Sequence, residues 1–227
     1  MVEAVLFDND GVLVDTEYAF FEVTRNVFAG AGAALTIPYW SQAYLGEGKT
    51  SLEIANNLGI PREQIETIIE QRNRIWRERM EAGVPLRLGV RQTLESLYGR
   101  VRMAVVTGSP RDQYELVHRS TGLSAFFETV LTEDDFERSK PHPDAFIAAL
   151  RRLGLAARFC IAVEDSPRGI AAAHAASLRC VLVPTVLTDR ELCTRADWIV
   201  TDIGGVVHIV LQEKAARMAI EKERENS

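Results

Sequence analysis

Val5-Leu6-Phe7-Asp8-Asn9-Asp10-Gly11-Val12-Leu13 runs apolar, then breaks into two carboxylates one residue apart and a glycine. A short apolar run ending in a turn signal reads as a buried parallel strand. In open α/β sheets ligands collect beyond the carboxyl ends of such strands. Alternation along an extended chain sends Asp8 and Asp10 to one side and Asn9 to the other, where a local hydrogen bond is expected. Two carboxylates on one side repel each other. A divalent cation relieves that repulsion, and hard cations such as magnesium prefer oxygen ligands and retain waters for a phosphorylated molecule. An isolated D-x-D is more often a helix cap or a turn, so the rest of the chain has to decide.

Further strands are expected at Met103 to Val106, Thr129 to Leu131, Cys160 to Val163, Cys180 to Val183 and Trp198 to Val200, separated by helical segments. Strands alternating with helices predict an α/β fold with a doubly wound parallel sheet. About ninety residues separate the first strand from the second, far more than one crossover helix needs. The interval is helical in character: Ile65, Ile68, Ile69, Trp76 and Met80 recur at helix spacing in a charged stretch, and Pro61 suits the first turn. The expected organisation is a core of residues 1–16 and 85–227 and an inserted helical cap domain of residues 17–84, with Gly83-Val84-Pro85 marking the exit. Glu221 to Ser227 reads as a frayed, solvated helix end.

The chain has 227 residues, 47% hydrophobic and 26% charged, with a net charge of −6. That is an ordinary globular composition, and its acidic balance argues against a nucleic-acid surface and for small-molecule partners. Met1-Val2-Glu3 leads straight into the first strand without a leader pattern, and no stretch is long enough to span a bilayer. Cys160, Cys180 and Cys193 are odd in number and widely spaced, which predicts reduced thiols and a cytoplasmic location. Monomer is the default oligomeric state.

Three other strand ends carry reactive residue types. Met103-Ala104-Val105-Val106 ends at Thr107-Gly108-Ser109-Pro110, a hydroxyl and a permissive backbone before a helix, which suits a phosphate or a plain cap. Cys160-Ile161-Ala162-Val163 ends at Glu164-Asp165-Ser166-Pro167, with Ser166 and Pro167 placed for N-cap and first turn. One acid could serve the helix; a second has no structural need. Ser139-Lys140-Pro141-His142-Pro143-Asp144 holds a lysine before a proline, where the backbone stays extended. Such a lysine could neutralise an attacking aspartate and bind phosphate oxygens as a point charge.

Taken in order, Asp8 to Glu17, Val106 to Ser109, Lys140 to Asp144 and Val163 to Ile170 resemble the four motifs of the haloacid dehalogenase superfamily, in the branch with a helical cap after the first motif. The likeness covers nearly the whole chain and points to the phosphoglycolate phosphatase and β-phosphoglucomutase-like members, with a Rossmann-like core. It implies a magnesium-dependent phosphatase acting on a small phosphorylated metabolite such as a sugar phosphate or phosphoglycolate. Carried over by position, Asp8 is the nucleophile that forms an aspartyl-phosphate, and Asp10 the acid for the leaving oxygen and base for water. Magnesium is held by Asp8, the backbone carbonyl of Asp10 and Asp165, with Glu164 a ligand through water or an orienter. Thr107, Gly108 and Ser109 bind the phosphoryl group and Lys140 sits beside Asp8. The physics agrees: a carboxylate attacks an anionic phosphate poorly unless cations offset the repulsion.

Single residues separate the branches. Asp10 argues for phosphoryl transfer, because dehalogenating relatives need no acid there. Phosphonoacetaldehyde-cleaving relatives use a cap lysine as a Schiff base in a context like Leu45-Gly46-Glu47-Gly48-Lys49, so Lys49 keeps that alternative open beside its reading as a substrate-binding residue. Sugar-phosphate mutases share nearly all the motifs but carry a histidine where Phe20 stands. Receiver domains also phosphorylate a strand-end aspartate, but lack the insertion and Asp10; a silent binding member would have lost a motif residue. Residues around Tyr44 to Thr50 are expected to set specificity. His118, His174 and His208 read as structural or exposed, His142 as a possible site residue, and Trp40, Trp76 and Trp198 as packing.

Overall fold

The structure is a computed structural model that describes residues 2–225, with side chains as far as residue 215. All six expected strands form: β1 (Ala4–Phe7), β2 (Arg102–Val106), β3 (Thr129–Leu131), β4 (Cys160–Glu164), β5 (Arg179–Leu182) and β6 (Trp198–Ile199). They make one sheet in the order β3-β2-β1-β4-β5-β6. Every pairing is parallel, with Leu6 opposite Ala104 on one side and Ala162 on the other. The order reverses direction at β1 and β4, and the crevice beyond their carboxyl ends is where ligands collect in such sheets.

Both faces of the sheet are covered, which is why its strands are apolar throughout instead of alternating. Val5, Phe7, Val105, Val163 and Val181 pack on one face against α5 (Val90–Leu97) and α9 (Gly205–Glu225). Leu6, Ala104, Ala162, Cys180 and Leu182 pack on the other against α7 (Asp144–Leu153) and α8 (Pro167–Ala175). The helix α6 (Arg111–His118) follows β2 and sends Tyr114 into the first of these cores. Cys160, Cys180 and Cys193 are free and buried.

Between β1 and β2 the chain is helical: α1 (Thr16–Gly30), α2 (Ile37–Trp40) running into a π-helical turn Ser41–Gly46, α3 (Ser51–Asn57) and α4 (Arg62–Glu81). These helices bury their own core of Phe21, Phe28, Trp40, Ile54, Ile65 and neighbours, which Leu187 enters from the sheet side. Pro61 stands at the N-cap of α4, one residue earlier than the first turn expected of it. The chain leaves and re-enters the sheet region side by side: Asp15 N donates to Pro85 O (3.2 Å), Arg87 N to Leu13 O (3.1 Å), and Val14 bridges Leu86 antiparallel. Arg87 Nη1 and Nη2 tie that crossing to Gly11 O (2.8 Å) and Pro184 O (3.2 Å). The C-terminal helix continues to Glu225, and the end of the expected frayed tail, Asn226 and Ser227, lies outside the described residues. None of the described helices is long and apolar enough to cross a membrane.

Candidate active site

The turn after β1 is shaped by one carbonyl. Asn9 O accepts from Val12 N, Leu13 N and Val14 N (3.2, 2.8 and 3.2 Å), which curls the chain back and leaves Asp8 and Asp10 at the crevice. Gly11 adopts φ +81°, and a Cβ there would stand 2.1 Å from Asp165 Oδ2, so this position needs glycine both for its backbone and for the acid beside it. The second acidic strand end is built likewise. Glu164 closes β4, Ser166 Oγ caps α8 by accepting from Gly169 N (3.1 Å), and Pro167 opens the helix. A Cβ on Gly169 would fall 1.8 Å from Glu164 Oε2. The helix can approach the buried carboxylate only because that side chain is missing.

Lys140 joins the two strand ends. Its Nζ donates to Asp8 Oδ1 (2.6 Å) and Val106 O (3.0 Å) and lies 2.6 Å from Glu164 Oε1. Burial works to lower its pKa, but the charges of Asp8 and Glu164 outweigh burial and hold it raised, so Lys140 stays an ammonium. Burial and the like charges of Glu164 and Asp10 raise the Asp8 carboxyl against the pull of Lys140. Asp165 is raised in the same way by burial and by the Asp8 and Glu164 charges. Asp8, Glu164 and Asp165 bring carboxylate oxygens within 4.8 Å of one another. One ammonium faces three carboxylates, and Glu164 Oε2 and Asp165 Oδ2 are buried without hydrogen-bond partners. Orphaned oxygens in an acidic cluster fit a divalent cation, which would satisfy them and offset the excess charge.

Asp10 stands apart from that cluster. Its Oδ1 accepts a short hydrogen bond from Thr16 Oγ1, and its Oδ2 accepts from Thr107 Oγ1 (3.0 Å) and Ser109 Oγ (2.9 Å). Thr107 is fully buried, so its hydroxyl serves Asp10, while Gly108 and Ser109 reach the cavity surface. Asn9 points the opposite way, as alternation requires, and Oδ1 meets His118 Nε2 at 2.7 Å. His118 Nδ1 in turn meets Thr121 Oγ1 at 2.9 Å. Burial pushes the His118 pKa down to about 4, so the ring is a neutral strut behind the site.

Over these strand ends lies a cavity of about 600 Å³, walled on the far side by α1, the π-helical turn and α4. Tyr44, Leu45, Gly48, Lys49 and Thr50 line it, where specificity contacts were expected; His142 does not. Lys49 Nζ is 2.6 Å from Glu47 Oε2, and that partner raises its pKa. His174 pairs with Asp197 (2.9 Å) and His208 is exposed, away from the cavity.

The family model described as haloacid dehalogenase-like hydrolase matches residues 5–183. The chain belongs to that family. It is 29% identical over 189 residues to the phosphorylated carbohydrates phosphatase of Thermotoga maritima, covering 78% of this chain and 82% of the relative. Among solved structures it is similar to CbbY from Rhodobacter sphaeroides in complex with xylulose 1,5-bisphosphate: 27% identity, TM-score 0.71, 90% of this chain and 96% of that one. A β-phosphoglucomutase from Clostridium difficile shares the fold, with TM-score 0.73 at 20% identity over 97% of this chain and 100% of that one.

Several residues of this hydrolase's cavity wall carry no binding or catalytic role in the sequence reading: Glu17, Phe20, Arg72, Trp76 and Arg168. Glu17 and Arg168 fall inside quoted motifs but carry no readable role there. Burial, reinforced by Asp10, pushes the Glu17 carboxyl up to about 7, while Trp40 Nε1 donates to it at 3.3 Å. Arg168 Nη1 donates to Lys140 O (3.4 Å), and a Cβ on Gly48 would come within 2.7 Å of Nη1. Trp76, read as packing alone, has one edge against Phe20 and another in the cavity.

Proposed function

We propose that this hydrolase is a magnesium-dependent phosphatase that cleaves a small phosphorylated metabolite, a sugar phosphate or phosphoglycolate, through an aspartyl-phosphate on Asp8. The observation that carries this reading is the separation of the two strand-end acids into different surroundings. Asp8 lies against the Lys140 ammonium in an acidic, cation-seeking cluster, and Asp10 is clasped by three hydroxyls outside it. One acid is placed to attack and the other to exchange a proton.

Asp8, Glu164, Asp165 and the backbone carbonyl of Asp10 would hold the ion; Glu164 closes the cluster from the Lys140 side. Bound magnesium would neutralise phosphoryl oxygens and lower the repulsion toward Asp8. A carboxylate oxygen of Asp8 attacks phosphorus, the ester P–O bond breaks, and Asp10 gives its proton to the departing alkoxide. Water then attacks the aspartyl-phosphate, Asp10 takes the water proton, and inorganic phosphate leaves with Asp8 restored. Lys140 keeps its charge throughout and holds Asp8 aligned. Ser109, Gly108 and Thr107 shape the phosphoryl seat, Thr107 through its hold on Asp10. Residues 17–84 act as the cap that excludes water and selects substrate, pivoting at the paired crossings near residues 13–15 and 85–87.

The names of the relatives support this reading, and two competing ones meet specific obstacles. A Schiff-base lysine must give up its proton, whereas Glu47 holds Lys49 protonated. A mutase of the resembling kind carries a histidine where Phe20 lies under the Arg72 guanidinium and cannot exchange a proton. The test is phosphate release from a panel of sugar phosphates, phosphoglycolate and phosphonoacetaldehyde, with and without magnesium, using Asp8→Asn as the control. Magnesium-dependent release abolished by Asp8→Asn is expected. Isomerisation of a sugar phosphate without release, or aldehyde formation from the phosphonate alone, would overturn the reading.

A further inference from the structure

The two ends of α6 hold neighbouring residues of the turn after β1. Just before its start, Thr107 Oγ1 and Ser109 Oγ donate to Asp10 Oδ2 (3.0 and 2.9 Å). At its end the last residue, His118, meets Asn9 Oδ1 at 2.7 Å. Residue 10 is thereby held from the cavity side and residue 9 from behind.

The rear contact is a directed one. Asn9 is 1% exposed and His118 6%. Asn9 Nδ2 is buried without a partner, so the bond to His118 is the one hydrogen bond that this side chain makes among the described residues. An apolar side chain would fill the place without burying a half-satisfied amide. What the amide adds is direction. Its Oδ1 can only accept, which puts the imidazole proton on Nε2 and leaves Nδ1 to accept from Thr121 Oγ1 at 2.9 Å. Tyr114 lies against the ring, with centroids 4.3 Å apart. Held at both nitrogens and on one face, the imidazole is a rigid point to which Asn9 is tied.

The main-chain bonds to Asn9 O shape the turn, and the side-chain bond fixes its rear. Because successive side chains alternate, holding residue 9 from behind sets where Asp10 stands in front. Asp8 has anchors of its own, Lys140 Nζ at 2.6 Å and, for its amide, Val163 O at 2.9 Å. We propose that His118, acting through Asn9, is a positioning residue for Asp10, keeping that carboxyl aligned for its proton exchanges while leaving the attack by Asp8 untouched. The assignment of proton exchange to Asp10 rests on the phosphatase reading.

Single-turnover kinetics with full-length enzyme in excess and magnesium present separate the two halves of the reaction. Acetyl phosphate loses acetate, which needs no proton to leave; the preferred ester of the panel loses an alkoxide, which does. In His118→Leu, consumption of acetyl phosphate, in which Asp8 displaces acetate, should stay near the native rate. Release of inorganic phosphate, for which Asp10 must take the water proton, should slow by about 10–100-fold, the usual cost of losing an outer partner of a site residue. The alkyl ester should already be slowed at its consumption. His118→Gln offers an amide N–H in place of Nε2 and should bring phosphate release back toward the native rate. Where the leucine variant does not fold, Thr121→Val takes its place, with a smaller loss in the same step. Equal slowing of acetyl phosphate consumption and phosphate release, as a purely structural role would give, or no slowing of either, would overturn the proposal. Native enzyme that consumes neither ester would instead sink the phosphatase reading.

Discussion

The two walls of the cavity handle charge in different ways. At the strand ends Lys140 is shared by two buried carboxylates and the surplus is acidic; across the cavity Arg72 is buried among neutral partners, and burial pushes the Glu17 carboxyl up to about 7. On the proposed reading the sheet side gathers a cation and holds the nucleophile, while the helical side walls off the cavity and meets the rest of the substrate. That reading puts reaction type and substrate choice on different elements, which lets one vary without the other.

Asp8→Asn should break the sheet side most completely. Removing a nucleophile that nothing else replaces is expected to lower phosphate release by about 10⁴-fold or more. The fold should persist, because the change deletes one of three crowded carboxylate charges; thermal unfolding of the metal-free variant should show no loss of stability. Lys140→Met should do the reverse. It leaves Asp8 and Glu164 buried without their ammonium, and breaking a buried pair from one side costs about 3–5 kcal/mol. Urea unfolding without metal reads that loss, and added magnesium should narrow it by binding only the folded cluster. A Lys140→Met protein as stable as the native one would mean the carboxylates are already neutral in the metal-free state.

The sheet side was legible in the sequence and the helical side largely was not. Asp8, Thr107 and the Glu164-Asp165 pair each follow an apolar run short enough to be a strand, so topology alone carries them to one crevice. Gly11 and Gly169 are also explained once those acids are placed, since each yields room to a carboxylate. Arg72 had no such frame. It lies in α4 with Arg62, Arg74, Arg77 and Arg79; its spacing from Ile65, Ile68, Trp76 and Met80 carries it inward on the apolar stripe, but a charged residue type masks that signal. The expected hydrogen bond of Asn9 exists, but its partner His118 stands 109 positions away, a distance that no local pattern encodes.

Glu17 on the helical side and His118 behind the sheet offer a pH comparison of the same two regions. His118 has its folded pKa lowered from 6.5 to about 4. Between those values the unfolded chain binds a proton that the folded one refuses, so its contribution to stability is present above pH 6.5 and lost as pH falls toward 4. Glu17 has its folded pKa raised from 4.5 to about 7. The folded chain holds the extra proton there, so its contribution is present below pH 4.5 and lost as pH rises toward 7. The two oppose each other across one window. Relative to the native protein, Glu17→Gln should gain stability as pH rises from 4.5 to 7. Replacing His118 and its partner together, Asn9→Leu with His118→Leu, should give relative gains as pH falls from 6.5 to 4. The His118 effect should reach about 3 kcal/mol and the Glu17 effect less, since its carboxyl opens onto the solvated cavity. Unfolding free energies across pH 4 to 7.5 for the native protein and each variant decide this; parallel curves would show that neither group changes its proton occupancy on folding.

Lys49 should give the smallest effect, and its size discriminates between chemistries. Its ammonium is already engaged by Glu47, with both side chains substantially exposed (37% and 43%), and exposed pairs of this kind contribute little. If Lys49 only touches a substrate oxygen at the rim, Lys49→Ala should change kcat/KM by about fivefold at most, seen mainly in KM. If it were a covalent Schiff-base residue, the same change would abolish turnover and borohydride would trap the native protein on an aldehyde substrate. A small KM effect without trapping leaves Lys49 a rim contact, because an exposed ammonium that already has a counter-ion in Glu47 gains little from an arriving anion.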